Sequence, residues 1–178
     1  SCGSFAQEAK EYIPWYTGSI LSTSADNVAP GYFNIQPFVH YLRYDGSYST
    51  SGVSYNNTTA ELFLDFGILS WLDMSINAFF SDNNKGSHNA WILQDTSCAL
   101  GIQILKDQKG TYIPSLRMEL VEIMPTGKYK NLSPGKAGID EGGEGSWQTG
   151  PAIQASKIFY FIKSHPFRIR LNFNVYFP

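Results

Sequence analysis

Strict two-residue alternation constrains this chain more than any other feature. Near its C-terminal end Phe167, Ile169, Leu171, Phe173, Val175 and Phe177 occupy one parity, and Arg168, Arg170, Asn172, Asn174 and Tyr176 the other. Successive side chains of a strand point to opposite faces, so this segment reads as a strand with one apolar face and one polar, cationic face. Spacing at i, i+3, i+4 and i+7, the mark of an amphipathic helix, persists nowhere.

The alternation recurs up the chain. Ala60, Leu62, Leu64, Phe66 and Ile68 oppose Thr59, Glu61, Phe63, Asp65 and Gly67. Leu72, Met74, Ile76, Ala78 and Phe80 oppose Asp73, Ser75, Asn77 and Phe79. Cys98, Leu100, Ile102 and Ile104 oppose Ser97, Ala99, Gly101 and Gln103, and Leu116, Met118 and Leu120 oppose Arg117, Glu119 and Val121. Residues 32–44 and 147–159 carry weaker versions: Phe33, Ile35, Val39 and Tyr41 against Asn34, Gln36 and His40, and Ile153 and Ala155 against Gln148, Gln154 and Ser156. These are seven strand candidates, most about ten residues long. Soluble sandwiches use strands of about five or six residues, whereas about ten tilted residues cross a bilayer.

The connections sharpen the choice. Segments 45–58, 81–95 and 125–146 are long, polar and rich in Gly, Ser and Asn, while 69–71, 106–111 and 160–166 are short, and the two kinds alternate. Outer-membrane barrels have tight turns at one end and longer loops at the other. The expected fold is therefore all-β, an antiparallel up-and-down transmembrane β-barrel built as a meander. Single-chain bacterial barrels have even strand counts. The odd count here is met either by a strand near residues 19–24 or by a truncated chain and an incomplete barrel, and the second is expected.

Composition agrees and excludes other classes. The 178 residues carry 13 Lys and Arg against 15 Asp and Glu, a net charge of −2 without the basic surplus of a nucleic-acid binder. With 43% hydrophobic residues the chain is not of disordered composition, and no apolar run approaches the roughly 20 residues of a membrane-spanning helix. Two cysteines, Cys2 and Cys98, are too few for a disulfide scaffold or a zinc site. Ser4-Phe5-Ala6 before Gln7 fits a small-x-small cleavage pattern, so residues 1–13 read as a signal-peptide remnant or disordered N-terminus, and 14–178 as the barrel domain. Cys2 followed by Gly3-Ser4 is alternatively a lipid-acylated cysteine.

Several short motifs carry a resemblance. They are Pro14-Trp15-Tyr16-Thr17-Gly18-Ser19-Ile20-Leu21, Val28-Ala29-Pro30-Gly31-Tyr32-Phe33-Asn34-Ile35-Gln36-Pro37-Phe38, Phe66-Gly67-Ile68-Leu69-Ser70-Trp71-Leu72-Asp73, Met124-Pro125-Thr126-Gly127-Lys128-Tyr129 and Gln148-Thr149-Gly150-Pro151. Together they resemble the "MetA-pathway of phenol degradation" family of Gram-negative outer-membrane barrels across residues 14–178. The resemblance implies an outer-membrane location and a lumen for small hydrophobic or aromatic solutes. It supplies no catalytic residues and no cofactor.

The polar parity provides the candidate site. Glu61, Asp65, Asn77, Gln103, Arg117, Glu119, Arg168, Arg170 and Asn172 are expected to line a lumen. Unpaired charges in a confined lumen are costly, so Arg117, Arg168 and Arg170 are expected to pair with Glu61, Asp65 and Glu119, leaving the lumen nearly neutral and weakly ion-selective. His40, His88 and His165 share no metal-ligand spacing, and no nucleophile elbow is present, so neither a metal centre nor an enzyme is expected. The acidic stretch Asp140-Glu141-Gly142-Gly143-Glu144-Gly145 lacks the alternation of a calcium loop and reads as a mobile, solvated outer loop. Lys128, Lys130 and Lys136 beside it face either lipopolysaccharide phosphates or water. Tyr41, Tyr44, Trp71, Phe80, Trp91, Tyr129, Trp147, Tyr160 and Tyr176 fall near strand ends, where interfacial girdles form.

The expected function is passive movement of small molecules across an outer membrane, with lipid, lipopolysaccharide and a small solute as partners, and no nucleic acid. Two rivals remain. One is a secreted soluble β-sandwich that binds carbohydrate or protein, using Trp91 and Trp147 as loop aromatics. The other is a structural or adhesin-like surface barrel with a lumen closed by side chains.

Overall fold

The structure is a computed structural model that describes residues 18–19, 22–44, 54–162 and 165–178. Ten strands follow in order: β1 (Gly18–Ser19), β2 (Ser22–Thr23), β3 (Phe33–Tyr44), β4 (Tyr55–Leu69), β5 (Leu72–Lys85), β6 (His88–Leu93), β7 (Thr96–Leu105), β8 (Ser115–Met124), β9 (Gln148–Ile162) and β10 (His165–Asn174). The only helical element among the described residues is a single 3-10 turn at Pro134–Lys136. Strands β3 to β10 form one antiparallel meander that curls into an open half-barrel.

Strands β6 and β7 share one row. β5 pairs with β7 through Leu72–Asn77 and with β6 through Phe80–Lys85, and the row breaks at Gln94 and Asp95. The meander therefore has the seven rows that alternation predicts. Its two edges, β3 and β10, do not pair with each other among the described residues.

Strand ends differ from the sequence reading. Segment 81–95, expected as a loop, is the tip of a hairpin in which Ser81–Lys85 pairs with Ile92–His88. Tyr55–Thr58 likewise belongs to β4, and β9 runs on to Ile162. In the hairpin tip polar residues occupy both parities. Asp82 and Asn84 on the outer side both accept from Asn89 Nδ2, at 2.6 and 2.8 Å, while Asn83 points inward. Hydropathy alternation ends there, although the backbone ladder does not, because ladder hydrogen bonds need no apolar side chain. Trp91 is consequently a strand residue, its ring 5.6 Å from that of Phe80, rather than a loop aromatic.

The faces match the expected parities, and the polar one is inside. Asp65, Asp73, Ser75, Ser81, Arg117, Glu119, Gln154 and Ser156 are buried, while Phe33, Ile35, Leu62, Phe66, Leu100, Ile102, Leu120, Ile169, Leu171 and Phe173 are exposed on the convex side. No second sheet covers this apolar surface among the described residues. On the outer side Glu122 and Thr149, opposite each other in register, bond at 2.5 Å, and Lys157 bonds Asp107. The outer row of β9 begins beyond Thr149 with Pro151, is interrupted at Lys157 and continues with the stacked Phe159 and Phe161.

The alternative of a strand near residues 19–24 that joins the large sheet is not seen among the described residues. Among the described residues β1 and β2 pair only with each other, in a two-stranded sheet of their own. The chain then crosses the concave face, burying Ala25 and Val28. It turns into β3 at Gly31, whose φ of 77° favours glycine and whose amide donates to the Gly67 carbonyl at 2.9 Å. Gly67 has to lack a side chain, since a Cβ there would collide with the Ala29 carbonyl. Residues 24–29 have no apolar row to offer the convex face, whereas their backbone groups find donors and acceptors inside.

Candidate functional site

Arg117 organises the concave face at its turn end. The side chain leans across Gly101, where any Cβ would strike the guanidinium, and donates to Asp73 Oδ1 at 2.5 Å and to Glu119. Arg117 is only 3% exposed. Its Nε donates to Asn27 Oδ1 at 3.1 Å, and the other oxygen of Glu119 accepts from Gln154. Asp73 Oδ2 accepts the Val28 amide at 3.2 Å. Asp65 lies beside this group and takes a long 3.5 Å bond from Asn34.

The crossing segment is bound to this floor along its length. Gln103 accepts from the Asn27 amide at 2.8 Å and donates to the Ala25 carbonyl at 2.9 Å. Ser115 donates to Asp26 Oδ1, while Arg168 stands 3.9 Å from Asp26 Oδ2. Farther along, Glu61 bonds His40 at 2.7 Å and Asn77 at 2.8 Å.

The nine residues expected on the lumen side do share the concave parity, and the expected charge pairing is met in part, at Arg117 and Glu119. Arg117 does meet Glu119, yet its second carboxylate is Asp73, Glu61 is taken by His40 and Asn77, and the carboxylate beside Arg168 is Asp26. The charges are segregated: Asp65, Asp73 and Glu119 surround one arginine on β4, β5 and β8, while Arg168 and Arg170 stand together on β10. Asn172 continues that row and is exposed. Asp73, Asp26, Asn27 and Gln154 were missed as partners. The turn Ser70-Trp71 pairs Leu69 with Leu72, but only a bulge between Gly67 and Leu69 sets Asp73 opposite Gly67, and the separate β5–β7 pairing sets it opposite Gly101, so the turn alone did not mark Asp73. Nothing in the sequence marks Asp26 and Asn27, which meet Ser115 and Arg117 about ninety residues away.

At the other end, residues 125–147 form an ordered loop rather than a mobile one. Ile139 packs on Ala90 and Ile92, and its carbonyl accepts from Asn83 at 2.8 Å. Asp95 accepts the amides of Gly127 and Glu144 at 2.9 and 3.0 Å, and its own amide donates to the Gly142 carbonyl at 3.2 Å. Asp140 is buried and accepts from Lys128 at 2.6 Å and the Ser133 amide at 3.0 Å. Lys128 is thus committed within the loop, and Lys130 lies over the Tyr129 ring. Among the described residues no group of three His, Cys, Asp or Glu is placed to hold a metal.

The Lys128 hydrogen bond, with the Ser133 amide, holds the Asp140 carboxyl at about 2, below its ordinary 3.8. A carboxyl depressed in the folded state adds stability above its unfolded pKa and loses it as pH falls through the folded value. Protease cleavage within residues 127–145 is therefore expected to stay constant from pH 7 down to about 4 and to rise as pH approaches 2. Lys128→Met should raise cleavage already at pH 7 and flatten the rise below pH 4, because an Asp140 pKa returned towards its ordinary value no longer couples protonation to folding. Cleavage that rises already near pH 6 in the parent chain would show that this contact does not hold the loop.

Compared with known proteins, the chain matches no family model, no curated protein and no solved structure.

Proposed function

We propose that this chain is an outer-membrane β-barrel protein that passes small molecules along its polar concave face. The observation that carries the reading is the polarity of the half-barrel, with buried charges inside and large apolar side chains exposed outside. Soluble proteins rarely expose continuous apolar patches beyond a few hundred Å², and a sandwich would turn this face inward against a second sheet. From Pro151 to Phe161 on the outer parity of β9, interrupted by Lys157, lie ten residue steps, about 34 Å of strand and about 26 Å of height at a tilt of about 40°. That is the order of the roughly 25 Å apolar band of such barrels. Trp71 at one end and Trp91 at the other are exposed where interfacial aromatics belong. The motif resemblance to Gram-negative outer-membrane barrels agrees with this placement.

A second reading has its own observation. Residues 24–29 lie across the concave face and residues 127–145 fold onto its loop end, which favours a closed structural barrel at the cell surface. Extraction and flux separate the alternatives. The proposal expects extraction only with detergent, faster migration of the unboiled protein on a gel, and solute-dependent swelling of liposomes. A closed barrel gives the first two without swelling. A chain that is soluble and monodisperse without detergent would end the membrane reading.

A further inference from the structure

Residues 24–29 cover the charged floor at the turn end of the concave face. Between them and the floor, at Ser24, Asp26, Phe63, Asp65, Asp73 and Arg117, about 10 Å³ remains, about the least space that holds one water molecule. On the other flank of the same segment, along Asp26, Asn27, Val28 and Ala29, lies an open cleft of about 580 Å³.

The hold on this segment is polar and replaceable. Its buried apolar side chains are the small ones of Ala25 and Val28, so little hydrophobic area opposes its leaving. Asn27 Nδ2 is buried without a hydrogen-bond partner among the described residues, a cost that the docked segment carries. The floor residues that bond the segment each hold a further partner in the sheet or its turns. Gln103 Nε2 donates to the Leu105 and Leu116 carbonyls at 2.6 and 3.2 Å. Ser115 Oγ accepts the Asp107 amide at 3.0 Å. Asp73 and Arg117 hold each other, and Arg117 also holds Glu119. Lifting the segment therefore leaves these three charges paired, and the groups it vacates face a polar concavity. Its downstream end is fixed, because the Gly31 amide donates to the Gly67 carbonyl and the Gly67 amide to the Tyr32 carbonyl, both at 2.9 Å.

We infer that residues 24–29 are a strap that pivots at Pro30-Gly31, swings from the charged floor into the cleft and so gates the turn end of the path. Opening exchanges the strap's hydrogen bonds for water and uncovers Asp65, Asp73 and Arg117, a local transition that leaves the sheet intact. The inference deepens the transport reading and rests on it only for what the opening does.

Two readouts test it, both on the full chain with Cys2→Ser and Cys98→Ser. The first is labelling of Val28→Cys by a hydrophilic maleimide in detergent micelles, since residue 28 is buried while the strap is docked. Protein that shows the unboiled gel shift is expected to label. Gln103→Ala, which removes the bonds to Asn27 and Ala25, should speed labelling at least ten-fold. Ala90→Cys, buried at the loop end, should label no faster with Gln103→Ala. Should Gln103→Ala lose its gel shift, Asn27→Ala replaces it, and at least three-fold faster labelling is then expected. The second readout is liposome swelling with Asp26→Cys and Ser115→Cys joined by a short reducible cross-linker. Joining should cut flux at least ten-fold, and reduction should restore it. Labelling of residue 28 that neither variant speeds, equal acceleration at residue 90, or swelling unchanged by the cross-link overturns the inference. Accelerated labelling without swelling in any form upholds the moving strap and ends the transport reading, whereas swelling with a residue 28 that never labels does the reverse.

Discussion

Arg117→Leu is expected to destabilise the fold by about 3–5 kcal/mol, the usual cost of leaving buried charge without its partner. The substitution strands Asp73 and Glu119, both buried with Arg117, and removes the donor to Asn27. The loss should also loosen residues 24–29, which reach the sheet partly through Asn27 and through the Val28 amide on Asp73. Combining Arg117→Leu with Asp73→Asn and Glu119→Gln should recover much of the stability, since neutral amides replace the stranded charges. Urea unfolding in micelles, followed by tryptophan fluorescence, measures both. A cost below about 1 kcal/mol, the range of a solvated surface ion pair, would mean that water reaches Arg117 and that the concave floor is not closed as described.

The second large effect is expected on the opposite face. Leu171 is 68% exposed and sits midway along the apolar row of β10. In water, Leu171→Arg would change stability by no more than about 0.5 kcal/mol, as surface substitutions usually do. Near the middle of a bilayer the same change costs about 2–4 kcal/mol. The neighbouring Asn172→Ser, on the concave parity, should be nearly neutral in either setting. Folding into lipid vesicles, scored by the unboiled gel shift across a urea series, compares the two. Equal tolerance at 171 and 172 would remove the assignment of the convex face to lipid.

Much of the sheet was legible before the structure, and the reason lies in the backbone. A strand turns successive side chains to opposite sides, so parity alone assigns Leu64 and Leu171 to one face and Asp65 and Arg170 to the other. Seven runs of parity gave seven rows, and short turns between long strands gave a meander. Parity also placed all nine candidate residues on the concave side. It could not pair them, because pairing depends on register and on what else enters the concavity. Arg117 reaches Asp73 because Gly101 stands opposite Asp73 and leaves room for the guanidinium.

The tertiary structure decided where the segments without a period go. Residues 24–29 and 125–147 are polar or glycine-rich, so their hydropathy says only that they are not strands. Residues 24–29 lie inside because Asp73, Gln103, Ser115 and Arg117 together match their backbone and side-chain groups. The long loop is ordered because Gly142 and Gly143 let the chain approach Leu93 and Asp95 closely enough to bond. Alternation is local and readable from a few neighbours, so the sequence by itself determined the faces. Hydrogen-bond matches between residues far apart in the chain exist only once the sheet has curled, and that curl decided what fills its concave side.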